Sequence, residues 1–116
     1  MITVYGLKNC DTCRKTIKLL KGRGAAHVFH DLRADGLAAE QLDVWIAAVG
    51  WEALLNRRGT TWRQLDPAEQ TDLDQAKARA LMLAHPALIK RPVVVHRGGV
   101  LVGFTPQLEE TIAAAG

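Results

Sequence analysis

Cys10 and Cys13 are the only two cysteines among 116 residues, and their setting points to thiol chemistry. They lie in Leu7-Lys8-Asn9-Cys10-Asp11-Thr12-Cys13-Arg14, after an apolar stretch from Ile2 to Tyr5 that Gly6 breaks. A run with helical spacing, Thr12 to Lys21, follows. The first backbone N–H groups of a helix lack internal partners and its dipole favours negative charge, so a thiol placed there ionises more easily. Thiolate is the attacking species. Lys8 and Arg14 push toward it and Asp11 pushes back. A cysteine pair three residues apart spans about one helical turn, so a disulfide is geometrically allowed. Cys13 falls in line with Ile17 and Leu20, the stripe that should face the core. Cys10 is therefore the expected exposed nucleophile and Cys13 the more buried resolving thiol. Zinc is the competing chemistry for Cys10, Cys13, His27 and His30. That histidine spacing is shorter than zinc sites use, and two positions three apart on one strand point to opposite faces. No metal is expected, and both histidines read as strand-end or surface residues.

Composition limits the setting of this pair. With 48% hydrophobic and 23% charged residues, the chain should form one compact soluble domain, residues 1–116. A lone C-x-x-C near a βαβ pattern reads as a redox motif in a reducing compartment, so a cytoplasmic protein is expected; the expected state is a monomer. No apolar run reaches the roughly 18 residues of a membrane span, and no signal-peptide pattern precedes the first strand. The net charge is +3, from basic residues scattered among acidic ones. That is weak evidence for nucleic acid and more often only a solvated surface, so neither a membrane nor a direct nucleic-acid partner is expected.

The elements that must hold the cysteines follow from periodicity. Ile2 to Tyr5 is a strand, the first helix runs to about Lys21 where Gly22 and Gly24 end it, and Ala26 to His30 is a second strand. A helix between two strands makes them parallel through a right-handed crossover. Leu42, Trp45, Ile46 and Val49 mark a helix that Gly50 closes, and Trp51 to Leu55 reads as one more helical turn before the polar segment Asn56 to Thr61. Asp66-Pro67-Ala68-Glu69 starts a helix expected to continue to about Ala84 and stop before Pro86. Val93 to Val95 is an apolar central strand, His96-Arg97-Gly98-Gly99 a hairpin turn, Val100 to Val102 the returning strand, and Thr105-Pro106 opens a last helix. The order is β-α-β, a helical block at about 36–86, then β-β-α. Without the block this is the thioredoxin order: an α/β fold with a four-stranded mixed sheet and an inserted helical lobe.

In such a fold the proline before the central strand, here Pro92, is cis, and its neighbours offer backbone to a bound thiol partner. Arg91 would then stand beside Cys10, able to favour the thiolate and to clamp a carboxylate or oxyanion. Arg57 is the better of the Arg57-Arg58 pair for a second anion contact, although an exposed turn explains the pair equally well. Trp45, Trp51 and Trp62 read as core and lid packing.

Three stretches, Asn9-Cys10-Asp11-Thr12, Gly50 through Trp62 and Leu88-Ile89-Lys90-Arg91-Pro92, resemble the arsenate reductase (ArsC)/Spx family, in its YffB-like branch. The resemblance implies a thioredoxin-like fold and thiol chemistry with glutathione as co-substrate and no bound cofactor. It makes Lys8, Asn9, Thr12, Arg57, Arg91 and Pro92 the expected glutathione-binding set around Cys10. Glutaredoxin is a further implied partner, and the substrate is a small-molecule or protein thiol. Arsenate reductases of the family are expected to hold the oxyanion with one cysteine and three arginines. Cys10 and Arg91 match, but the other two positions fall on Asn56 and Gly103, neither of them basic. Cys13 also departs from the YffB-like pattern. A glutathione-dependent thiol-disulfide reductase is therefore the leading expectation, with arsenate reduction second. The third is an Spx-like redox regulator that binds RNA polymerase, similar at Cys10-x-x-Cys13-Arg14-Lys15.

Overall fold

The structure is a computed structural model describing residues 1–115. The chain divides into two compact units, residues 1–36 with 91–116, and residues 37–90.

The first unit carries the sheet. Strand β1 (Ile2–Gly6) leads into helix α1 (Asp11–Gly22), which returns to β2 (His27–Asp31). β3 (Val93–His96), β4 (Gly99–Val102) and helix α7 (Pro106–Ala115) complete it. The strand order is β2-β1-β3-β4. β1 runs parallel to β2, with Val4 opposite Phe29, and antiparallel to β3, with Val4 opposite Val94. β3 and β4 form the expected hairpin, Val94 opposite Leu101. The mixed thioredoxin-like sheet read from the sequence is thus the observed one. Alternation explains its packing: Ile2 and Val4 point inward to Leu20, Ala25, Val94, Leu108 and Ile112, and Ile17, Phe29, Leu101 and Phe104 close over them. Past α1, Gly24 takes φ +66°, a left-handed turn that costs glycine little and lets the chain enter β2.

The second unit is helical. It comprises α2 (Ala39–Val49), α3 (Trp51–Leu54), α4 (Thr60–Arg63), α5 (Pro67–Gln70), α6 (Gln75–Ala84) and a 3₁₀ turn at Pro86–Leu88. Leu42, Trp45 and Ile46 of the expected stripe are buried, as are Leu54, Ala78, Leu81, Met82 and Leu88. An exposed ion pair, Arg79 Nε to Asp43 Oδ1 at 2.6 Å, joins α6 to α2.

Three expectations need correction. The helix expected from Asp66 to about Ala84 is two helices. Asp66 and Glu69 do form the capping box, but Asp72 turns to φ 53° and Asp74 Oδ1 accepts from Lys77 N at 2.8 Å, starting α6 afresh. Leu55 has left the helical turn and pairs with Ile89 in an isolated antiparallel bridge, flanked by Asn56 N to Leu88 O and Lys90 N to Leu54 O, each 2.7 Å. The polar segment after it contains a helical turn, α4, that composition did not show. Among the described residues no helix is long and apolar enough to cross a membrane.

Candidate active site

Cys10 is the N-cap of α1, in extended conformation at φ −136°, ψ 119°, with its carbonyl accepting the first helical bond from Arg14 N at 3.0 Å. Its sulfur makes no full capping hydrogen bond, yet the Cys13 N–H faces it closely enough to favour the charged form. Cys10 is partly exposed, and Cys13, one turn along on the inner face, is only 2% exposed. Both thiols are free. The spacing argument for an outer and an inner cysteine therefore describes what is seen.

Their proton affinities diverge for different reasons. Burial of the Cys10 sulfur opposes ionisation, but hydrogen bonds from the Thr12 hydroxyl, then Cys13, then Arg91 outweigh it and bring Cys10 from 9.0 to about 7. At neutral pH about half the molecules then carry the thiolate. Cys13 moves the other way. Its burial comes first, its donation to the Cys10 sulfur second, and together they push it from 9.0 to about 12. One thiol ionises near neutral pH while its neighbour holds its proton.

Thr12 joins the sulfur to the proline loop. Its Oγ1 lies 3.2 Å from Cys10 Sγ and donates to Arg91 O at 3.0 Å. A hydroxyl has a single hydrogen, so while it is committed to Arg91 the neutral Cys10 thiol must be the donor toward Oγ1. Ionisation of Cys10 favours turning that hydrogen onto the sulfur. The Arg91-Pro92 peptide bond is cis, as the thioredoxin order implied, and Gly103 N holds Pro92 O at 2.8 Å. Thr16 is buried one turn further along and donates to Thr12 O at 2.7 Å, which satisfies its hydroxyl within the helix.

The loop before Cys10 is fixed by a residue the sequence reading passed over. Asp31, at the end of β2, accepts from Arg33 N at 2.8 Å and Ala34 N at 2.9 Å through Oδ1, and from Lys8 N at 3.3 Å through Oδ2. The Ala34 N–H first, against some burial, and then Arg33 and Lys8 hold its carboxyl below the ordinary value. An aspartate closing a strand ahead of a tight turn was the available signal. Gly6, expected only as the break after the first strand, has a second part. A Cβ there would run into Cys13 Sγ, so only glycine lets the inner cysteine pack against β1.

Lys8 and Arg14 were expected to help ionise Cys10. The leading contributors are instead Thr12, Cys13 and Arg91. Arg14 lies 4.0 Å from Asp11 in an exposed pair, an arrangement that contributes little. Asn9 and Lys8 line a cleft of about 340 Å³ with Asp31 and Arg33. Cys10, Thr12, Cys13, Arg91 and Pro92 belong to the first unit, whereas Arg57 belongs to the second. There its guanidinium sits 5.8 Å from the Trp51 ring and 5.9 Å from the Trp62 ring, a cation–π clamp and not a bare turn. Trp45 is buried core, whereas Trp51 and Trp62 are only partly covered. His27 Nδ1 lies 2.8 Å from Ala25 O and His30 Nε2 lies 2.7 Å from Gly36 O. Among the described residues no cluster of three or more His, Cys, Asp or Glu could hold a metal ion.

Comparison with known proteins places this geometry in context. The sequence model of the ArsC family matches residues 5–112. An uncharacterized protein of Haemophilus influenzae is 44% identical over 104 residues, covering 90% of this chain and 91% of that one. A solved structure of a protein called YFFB is 47% identical and superimposes with a TM-score of 0.90 over 99% of this chain and 98% of the other. An arsenate reductase of Rhizobium meliloti is 28% identical over 96 residues, covering 81% of this chain and 68% of that protein.

Proposed function

Because the chain belongs to the ArsC family, we propose that it is a thiol-disulfide reductase in which Cys10 exchanges disulfides with glutathione. The observation that carries this reading is a partly exposed Cys10 sulfur at the start of α1, 3.2 Å from Thr12 Oγ1, with Cys13 buried one turn along, an arrangement that lowers the first thiol to about 7 and raises the second to about 12. An attacking thiol works best with a pKa near ambient pH, because thiolate fraction and intrinsic nucleophilicity then balance.

The steps follow from the two sulfurs. Cys10 thiolate attacks a glutathionylated substrate, forming the Cys10–glutathione disulfide and releasing the substrate thiolate, so the substrate is reduced and Cys10 oxidised. Cys13 is held back by burial and by its donation to the Cys10 sulfur. Once Cys10 is in a disulfide that acceptor loses its charge, and Cys13 becomes easier to ionise. Cys13 can then attack Cys10, displacing glutathione thiolate and leaving a Cys10–Cys13 disulfide that two further glutathiones reduce. Alternatively a second glutathione attacks the mixed disulfide directly, leaving oxidised glutathione. The cis Arg91-Pro92 loop tied to Thr12 offers backbone beside the sulfur for the extended chain of the bound thiol, and the Arg91 guanidinium suits a glutathione carboxylate. Glutaredoxin is the partner this scheme would accept for recycling.

Addition of oxidised glutathione tests the reading by mass spectrometry. Cys13→Ser should accumulate a Cys10–glutathione adduct that the parent protein resolves, and Cys10→Ser should accept none. An unmodified Cys10 in both proteins would overturn the proposal.

Arsenate reduction is a second reading, supported by the Rhizobium meliloti relative. The Gly103 position weighs against it. That residue sits at φ +83°, where an arginine would be strained, and no other cation is expected from the family pattern there. Turnover of arsenate with glutathione and glutaredoxin, at a rate matching that on a disulfide, would restore it.

A further inference from the structure

Helix α1 carries a charge pattern that the thiol chemistry does not use. From Lys8 to Arg23 the chain has six basic residues against the single acid Asp11, leaving nine basic and eleven acidic residues for the remainder. The positive charge is therefore concentrated here and not scattered. Arg14, Lys15, Lys18, Lys21 and Arg23 are all exposed. Arg14, Lys18 and Lys21 stand at i, i+4 and i+7, one ridge of like charges that repel one another. Arg14 at the head of the ridge stands 4.0 Å from Asp11.

Apolar channels run along both flanks of the ridge. One, of about 480 Å³, lies over Ile17 and Phe29 and reaches Cys13. The other, of about 430 Å³, lies over Leu19 and Phe104. Lys18 borders both. We infer that α1 is the docking surface for a partner protein that exchanges disulfides with Cys10, through a segment in which acidic residues alternate with large apolar ones.

The chemistry of the surface selects this occupant. A nucleic-acid strand could set phosphates on the ridge, but its polar base edges would lose their hydrogen bonds against the apolar channel floors, which disfavours it. A membrane surface calls for protruding apolar side chains, whereas these are recessed on either side of the charges. A polypeptide with carboxylates on the ridge and apolar side chains in the channels satisfies both features, and the channel that reaches Cys13 brings that segment beside the reactive pair. This inference rests on the thiol reading for the identity of the partner, but not for the surface itself.

Its test uses two short peptides, one rich in Glu and Leu and one with Lys replacing every Glu, each bearing a cysteine in a disulfide with glutathione. Cys10 thiolate attacks the glutathione sulfur of the mixed disulfide, forming the Cys10–glutathione disulfide and expelling the peptide thiolate. Favourable charge should make the acidic peptide react about tenfold faster at low salt, an advantage lost near ~0.5 M salt. In a Lys18→Glu/Lys21→Glu protein the preference should disappear or reverse, while reaction with the neutral hydroxyethyl disulfide is unchanged. Equal rates for the two peptides, or a preference that survives the double substitution, would overturn the inference. A cysteine-free acidic peptide added to Cys10→Ser protein gives a readout independent of thiol chemistry. Amide shifts should centre on Ile17, Lys18 and Phe29, and shifts elsewhere, or displacement of the peptide by a short DNA strand at lower concentration, would overturn the assignment. If Cys10 ignores hydroxyethyl disulfide while the peptide still binds α1, the thiol reading fails and the surface stands.

Discussion

Removing the Thr12 hydroxyl tests how the site holds its charge. Thr12 Oγ1 lies 3.2 Å from Cys10 Sγ and, after opposing burial, is the foremost group lowering that thiol to about 7. Thr12→Val keeps the shape and deletes the donor. A hydrogen bond to a charged group is worth about 1.5–3 kcal/mol, and the lower end suits a partly exposed sulfur, so the thiol should rise by about one pH unit to near 8. At pH 7 the thiolate fraction would drop from about half to about a tenth, roughly a fivefold loss. A more basic thiolate is intrinsically about threefold more nucleophilic for a Brønsted slope of ~0.45, so the net rate at pH 7 should fall only about twofold. Above pH ~9, where Cys10 is ionised in parent and variant alike, the variant should be about threefold faster than the parent. The two rate–pH profiles must therefore cross. Stopped-flow reaction with hydroxyethyl disulfide from pH 5 to 10, alongside thiolate absorbance at 240 nm, measures both curves. Superimposable profiles, or a variant slower at every pH, would refute the assignment of Thr12 as the group that holds the thiolate.

Other outcomes follow from the same geometry. Cys10 folds with a value of about 7, below its ordinary 9.0, so its contribution to stability is fully present above pH 9 and lost as pH falls through 7. Cys13, raised to about 12, contributes oppositely, fully below pH 9 and less toward 12. Between pH 7 and 9 the parent should therefore gain stability relative to Cys10→Ser in urea unfolding, and parallel pH curves would contradict this. Gly6→Ala should cost about 1–3 kcal/mol, because the new methyl overlaps Cys13 Sγ, and a thiol reagent should reach Cys13 faster; an unchanged urea midpoint would exclude the close approach. Asp31→Ala should cost about 1–3 kcal/mol by stranding the N–H groups of Lys8, Arg33 and Ala34, with Asp31→Asn retaining part of the loss, both read from urea midpoints at pH 7.

Much of the fold was legible because period and punctuation agreed. The alternation in Ile2 to Tyr5, the apolar Val93 to Val95 and the Gly98-Gly99 hairpin led to the mixed sheet that is observed. The helix expected from Asp66 to about Ala84 was misread because helical spacing outweighed the local cap at Asp74, whose side chain restarts the helix after Asp72. Leu55 was misread because an isolated bridge to Ile89 joins residues far apart in sequence and leaves no periodic trace.

Type and spacing alone determined that a thiol pair stands at a helix start, with one sulfur outward and one inward, since a turn of helix separates them whatever surrounds it. Tertiary structure decided what holds the charge. Thr12, Cys13 and Arg91 take that part ahead of the cations adjacent in sequence, because a hydrogen bond acts only at contact distance, and folding brings Arg91 to that distance across 81 positions of chain. Likewise only the folded chain makes Gly6 the floor under Cys13 and Asp31 the anchor of the Lys8 loop, since the first depends on α1 packing on β1 and the second on β2 pairing with β1.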